Sequence, residues 1–164
     1  MKRITALLYH DFTTLDALGP LEVLGRLPGY EIRYASLFGG PVSNEKGLVV
    51  MTEALPSPGP GDILLIPGGM GSRQLVLQDD FLAALHKAAL ESTLVMTVCT
   101  GSALAAAAGL LDGLHATGNK RAFDWTMSMG KKVLWQRDAR WTRDGKFSTA
   151  AGVSAGVDSA LGFV

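Results

Sequence analysis

Residues 93–111, TLVMTVCTGSALAAAAGLL, decide the fold. The first six, TLVMTV, form an apolar run without helical periodicity, as expected of a strand buried on both faces of a parallel sheet. GSALAAAAGLL (101–111) is alanine-rich and reads as a helix. Between the two lies Cys99, the only cysteine in the chain, with Gly101 placed to relieve crowding at a sharp strand-to-helix turn. A strand running straight into a helix is half of a βαβ unit.

The alternation continues on both sides. Upstream, ITALLY (4–9) and EIRYASLF (31–38) read as strands, and Leu15, Leu18, Leu21, Val23 and Leu24 give the segment between them a helical apolar face up to about Arg26. Thr14 is placed to cap that helix. Gly19-Pro20 falls inside the pattern, however, and proline lacks a backbone donor, so a late start with Pro20 in the first turn is expected. VSNEKGLVVMTEAL (42–55) has the form of a small hairpin or edge excursion turning near Asn44–Gly47, and PSPGPG (56–61) that of a rigid connector. DILLIPGG (62–69) is another apolar strand, ending in a Pro-Gly-Gly turn. An amphipathic helix follows over DDFLAALHKAALES (79–92), its two leading carboxylates suited to the helix dipole.

Downstream come a helix over 121–130 and short strands at 132–136, 139–143 and 146–150, the last two joined by an Asp144-Gly145 turn. A final helix begins near Gly152. Strands separated by helices imply an α/β fold, a mostly parallel central sheet with helices on both faces and right-handed crossovers.

At 164 residues and 48% hydrophobic content, the chain is expected to form one domain, 1–164, with a real core. Fifteen basic residues balance fifteen acidic ones, so charge gives no argument for nucleic acid or an anionic membrane as partner. The Lys and Arg residues of 115–147 are scattered, without a repeated aromatic partner pattern, and read as a solvated face. A single cysteine makes no internal disulfide, and no Cys/His cluster has zinc spacing; neither a metal nor an organic cofactor is expected. The short apolar run after Lys2-Arg3 reads as a strand rather than a signal peptide, and no apolar stretch reaches membrane-spanning length, so a cytoplasmic location is the expectation.

The chemistry centres on Cys99. It follows a strand end and precedes a helix, where unpaired N–H groups and the dipole favour an anion, so a stabilised thiolate with a depressed pKa is expected. The plain alternative is a buried structural cysteine. In an open α/β sheet the carboxyl ends of the strands face the usual site crevice, and two further strand ends should meet Cys99 there. Pro67-Gly68-Gly69 carries little side chain, so its amides, with that of Thr100, can form an oxyanion hole. Asp16 is either a helix cap or, within reach of Cys99, a proton donor or acceptor. His86 and His115 read as surface residues, His10 retains the option of a crevice role, and Trp125, Trp135 and Trp141 read as packing residues.

Taken in order, LDALGPLEVL (15–24), LLIPGG (64–69), VCTGSALAAAAGLLDG (98–113), HATGNKRAFD (115–124) and TAAGVSAGVDSAL (149–161) resemble the ThiJ/PfpI superfamily, within the class I glutamine amidotransferase-like fold. That group includes the Parkinson-disease-associated protein deglycase. The resemblance implies a flavodoxin-like three-layer sandwich, a strained nucleophile elbow at Cys99, Asp16 as its acidic partner, and homodimeric subunits. It implies oxyanion-hole or substrate-binding groups at Gly68, Gly69, Gly152 and Val153, beside the Thr100 amide. The Asp-x-x-Gly-Pro-x-Glu-Val form at 16–23, with Cys-Thr-Gly at 99–101, is similar to the isonitrile hydratase branch, which suggests Asp16, Cys99 and Thr100 as the catalytic set acting on a small molecule.

Two departures stand out. Where many relatives place a histidine near the cysteine, this chain has Gly118-Asn119. A Cys-His protease-like mechanism thereby loses its base, while one built on thiolate and carboxyl keeps its parts. Relatives also usually extend through another helical stretch beyond the position of Val164, so a lacking C-terminal extension is expected. The expected function is a cysteine-nucleophile hydratase (a lyase) or hydrolase-like enzyme that converts an isonitrile and water to an N-substituted formamide. The alternatives are glyoxalase or deglycase chemistry on α-oxoaldehydes, and non-enzymatic redox or ligand sensing at Cys99.

Overall fold

The computed structural model describes residues 1–164. Its centre is an eight-stranded sheet in the order β3-β4-β2-β1-β5-β6-β10-β9, built from β1 (Lys2–Leu7), β2 (Tyr30–Ser36), β3 (Gly40–Ser43), β4 (Val49–Ala54), β5 (Ile63–Ile66), β6 (Leu94–Val98), β9 (Trp141–Asp144) and β10 (Phe147–Ala150). From β4 through β10 all neighbours run parallel, and only the edge strands β3 and β9 are antiparallel. Every residue of β5 (ILLI) and β6 (LVMTV) is buried, which is why their sequences show no alternation.

Crossover handedness distributes the helices. From β1 the chain passes through α1 (Thr14–Leu24) to β2 on one side, whereas from β5 it passes through α3 (Asp79–Glu91) to β6 on the other. Right-handed connections running in opposite directions place α1 and α3 on opposite faces of the sheet. α6 (Ser154–Leu161) packs beside α1, while α4 (Gly101–Ala107) packs with α2 (Ser72–Leu75), α3 and α5 (Phe123–Ser128). The result is the three-layer α/β sandwich of the flavodoxin type. Winding reverses between β1 and β5, and the carboxyl ends of the strands around that point open a crevice. No helix is long and apolar enough to cross a membrane.

Several local expectations are corrected. α1 begins at Thr14 and carries Pro20 in its interior, with Thr13 at the N-cap position and no side-chain cap. Thr14 does not cap the helix; its Oγ1 accepts the Asn44 side-chain amide at 2.8 Å. Interior proline costs about 3 kcal/mol in an isolated helix. Here the Pro20 ring is buried against α6, where a Cβ on Gly156 would lie 3.3 Å from its Cγ, so tertiary packing overrides propensity. α4 stops at Ala107 rather than 111, because Gly109 takes a left-handed φ of 76° just past the C-cap. The expected strand at 132–136 shrinks to β8 (Leu134–Trp135), paired in parallel with β7 (His115–Ala116) outside the main sheet. In the β9–β10 hairpin Asp144 pairs with Phe147, so the two loop residues are Gly145 and Lys146, one position later than expected.

Candidate active site

Cys99 occupies the elbow between β6 and α4 with φ of 58°, a left-handed conformation uncommon for a residue with a side chain. Neighbouring glycines leave room for it. A Cβ on Gly68 would lie 2.6 Å from both Cys99 Cβ and Thr100 N, and one on Gly101 would lie 2.3 Å from Ile66 O. The Cys99 N–H donates to Ala150 O at 2.9 Å, fixing the elbow to the end of β10. Backbone strain of this kind, held by its surroundings, is typical of functional positions.

Asp16, on the first turn of α1, is fully buried and serves as no cap. Its Oδ1 accepts the Val153 N–H at 3.0 Å. Its Oδ2 is buried and accepts no well-formed hydrogen bond, although the Cys99 thiol and the Gly68 amide lie near enough to favour its charge. Asp16 and Cys99 flank Gly68 together: its missing Cβ would be 2.9 Å from Asp16 Oδ2. Burial raises the Asp16 carboxyl above its ordinary value, against the lowering effect of those neighbours.

The thiol differs from expectation. Burial, reinforced by the adjacent Asp16 charge, pushes the Cys99 pKa up to about 12, against the opposing pull of the Thr100 N–H and the Asn119 amide. A helix end contributes only about 0.3–1 kcal/mol, and desolvation beside a carboxylate outweighs it. At neutral pH the resting sulfur is therefore a thiol beside the buried Asp16 carboxyl. With the carboxyl ionised, moving the thiol proton from Sγ to Asp16 Oδ2 creates thiolate and acid at once.

Of the amides expected to meet substrate, two are engaged within the protein. Gly69 N–H donates to Thr100 Oγ1 at 2.9 Å, and Val153 N–H donates to Asp16. Thr100 thus contributes its hydroxyl to the Pro-Gly-Gly turn, helped by Ser72, whose Oγ lies 2.7 Å from Gly69 O and 3.0 Å from Thr100 Oγ1. The Thr100 N–H lies near enough to the Cys99 sulfur to favour its charge. Gly152, with φ of 146°, leaves an open position 3.7 Å from both Cys99 Sγ and Asn119 Nδ2.

Three contributors escaped sequence reading. Tyr9 ends the first apolar run, and its buried hydroxyl donates to Pro67 O at 2.7 Å, bracing the turn; burial and the nearby Cys99 and Asp16 raise its pKa. Ser72 carried no motif. Asn119 registered only as a missing histidine, yet its Nδ2 donates to Cys99 Sγ at 3.0 Å.

The histidines stand away from the thiol. His10 accepts the Ser43 N–H on Nδ1 at 3.2 Å and lines a cavity of about 600 Å³ over the ends of β1 and β2, whose lining does not include Cys99. His115 is exposed, while His86 is half-buried, its Nδ1 2.8 Å from Ala108 O at the end of α4. Trp135 packs on Phe123 and Trp125 under the Arg73 guanidinium, but Trp141 is exposed on the edge strand. No three His, Cys, Asp or Glu side chains cluster to hold a metal ion.

An elbow cysteine beside a buried carboxyl, at the carboxyl ends of a mostly parallel sheet, defines a class of α/β proteins with a nucleophile-elbow site. The chain belongs to the DJ-1/PfpI family, whose profile matches residues 2–164. It is 32% identical over 160 residues to the isonitrile hydratase of Pseudomonas putida, covering 97% of this chain and 69% of that protein. A ThiJ/PfpI family protein from Pseudomonas syringae superposes with a TM-score of 0.86 at 29% identity, over 99% of this chain and 67% of that one. Drosophila melanogaster DJ-1beta shares the fold, with a TM-score of 0.81 at 17% identity over 99% of this chain and 88% of its own.

Proposed function

We propose that the protein is a cysteine-dependent enzyme that hydrates an isonitrile to an N-substituted formamide. The observation that carries the reading is the pairing of Cys99 with the buried, unpartnered Oδ2 of Asp16 in a chain similar along nearly its whole length to an isonitrile hydratase. The terminal carbon of an isonitrile is both an electron-pair donor and an electrophile, so its hydration needs an acid and a nucleophile together. Proton transfer within the Cys99–Asp16 pair supplies both.

Asp16 passes to the isonitrile carbon the proton it received from the thiol, and Cys99 Sγ bonds to the same carbon, giving the thioimidate R–N=CH–S–Cys99. Water then adds across the C=N bond, its oxygen to carbon and a proton to nitrogen. Collapse of this adduct breaks the C–S bond, the hydroxyl proton returns through Asp16 to sulfur, and R–NH–CHO leaves. The proposal includes a homodimer, for which Val49 and Met51, exposed two residues apart on β4, offer an apolar face.

The test is conversion of an aryl isonitrile by the purified protein, followed by formamide appearance. Activity in the wild type and none in Cys99→Ala is expected. Cys99-dependent lactate from methylglyoxal with no formamide would move the reading to α-oxoaldehyde chemistry. Inactivity on both, with reversible peroxide oxidation at Cys99, would replace it by redox sensing.

A further inference from the structure

We infer that Asn119 is a catalytic residue: its side-chain amide, locked by the Ala122 N–H, donates a hydrogen bond to the Cys99 sulfur and holds the thiolate left when the proton passes to Asp16. The inference rests on the reading of Cys99 as nucleophile, not on the identity of the substrate.

The amide has one workable orientation. Its Oδ1 accepts the Ala122 N–H at 2.9 Å, an Asx-type contact on the turn leading into α5. Its Nδ2 stands 3.0 Å from Cys99 Sγ. Flipping the group would set an oxygen against the sulfur and an NH₂ against an N–H, losing both hydrogen bonds. The donor is therefore preset, and it strengthens as sulfur gains charge, because a hydrogen bond to an ionised acceptor is roughly twice as strong as a neutral one.

An amide differs from an imidazole in one decisive way. It donates to the thiolate but takes no proton at neutral pH, so proton traffic at the sulfur runs through Asp16 alone. This suits additions in which one acid–base group delivers one proton, and it disfavours shuttling between adjacent substrate carbons. The open position beside Gly152 lies 3.7 Å from both Sγ and Nδ2, so a group there stands in van der Waals contact with the sulfur and with the amide that donates to it.

Asn119→Ser isolates the role, since it removes the donor to the sulfur, adds no charge, and keeps a short oxygen near the Ala122 N–H. Iodoacetamide alkylation of Cys99 is the readout. We expect the rate at pH 8 to fall tenfold or more and the whole rate–pH curve to move to higher pH, with the thermal midpoint within a few degrees of the wild type. If the Ser variant does not fold, Asn119→Thr, equally uncharged and with an added methyl for packing, gives the same comparison. A curve superimposable on the wild type in whichever variant folds would overturn the inference. Alkylation involves no isonitrile: a shifted curve without formamide formation would sink only the proposed reaction, and formamide formation with an unshifted curve only the role of Asn119.

Discussion

Asp16 Oδ1 accepts the Val153 N–H at 3.0 Å, joining residues 137 positions apart and tying the start of α1 to the start of α6. Val153 has φ of 37°, an outlier for a β-branched residue, so this bond helps hold a strained backbone beside the thiol. One carboxyl thus has two duties. Oδ1 fixes the floor of the site, and in the proposed reaction Oδ2 exchanges a proton with Cys99.

The two duties separate in Asp16→Asn, which retains an Oδ1 acceptor for Val153 and removes the charge. Burial raises the Asp16 pKa in the folded protein, so its ionisation opposes folding. Stability linked to this group is full below the unfolded carboxyl pKa of about 4 and is lost as pH rises through the higher folded value. The Asn variant should therefore melt above the wild type at neutral pH, and the difference should close as pH falls below about 4. An equal or lower midpoint at neutral pH, with no convergence in acid, would contradict the assignment.

The same substitution should change the thiol. The Asp16 charge helps push Cys99 to about 12, so the wild-type alkylation rate should still be climbing at pH 10, where an ordinary thiol has levelled off. In Asp16→Asn the curve should move to lower pH. Turnover should nevertheless drop by about 10²–10⁴-fold, the usual contribution of a positioned acid–base group. A wild-type curve that plateaus near pH 9 would refute the paired titration.

Thr100 can be tested through its hydroxyl. Val at this position strips the acceptor from the Gly69 N–H and a partner from Ser72 in a buried setting, at a cost of about 1–3 kcal/mol. Thr100→Ser should restore most of the loss in thermal unfolding and in turnover, because it restores the oxygen. If Val behaves like the wild type and Ser does not, the methyl packing of Thr100 matters and the hydroxyl does not.

These contacts show what one sequence discloses. TLVMTV and DILLI reveal their place because both faces of a central parallel strand are apolar, and no helix or half-exposed strand needs that pattern. The direct join of β6 to α4 likewise marks Cys99. Hidden were effects that depend on what arrives from elsewhere: Pro20 sits mid-helix because Gly156 of α6 leaves it space, and the thiol rises because α1 delivers a buried carboxyl. The Gly69 and Val153 amides looked available in the motif, yet Thr100 and Asp16 reach them across 31 and 137 residues.

Gly152 offers the sharpest separation of site from scaffold. A Cβ there would meet Cys99 Cβ at 3.5 Å and both Sγ and Asn119 Nδ2 at 3.7 Å, ordinary van der Waals contact, so a methyl group fits the folded protein. It would, however, stand against the sulfur on the side from which we propose that substrate approaches. The backbone objection is its φ of 146°, and a side chain held in such a region costs about 1–3 kcal/mol. Gly145, with φ of 58° and nothing within 4 Å of its missing Cβ, is the control, since strain acts there without the site. Gly152→Ala and Gly145→Ala should both fold and both melt lower, by about 2–4 °C for each kcal/mol lost. Only Gly152→Ala should slow Cys99 alkylation and formamide formation, each by tenfold or more. If Gly152→Ala reacts at the wild-type rate while showing its stability loss, substrate does not approach the sulfur past Gly152, and the open position there is not where the new bond to sulfur forms.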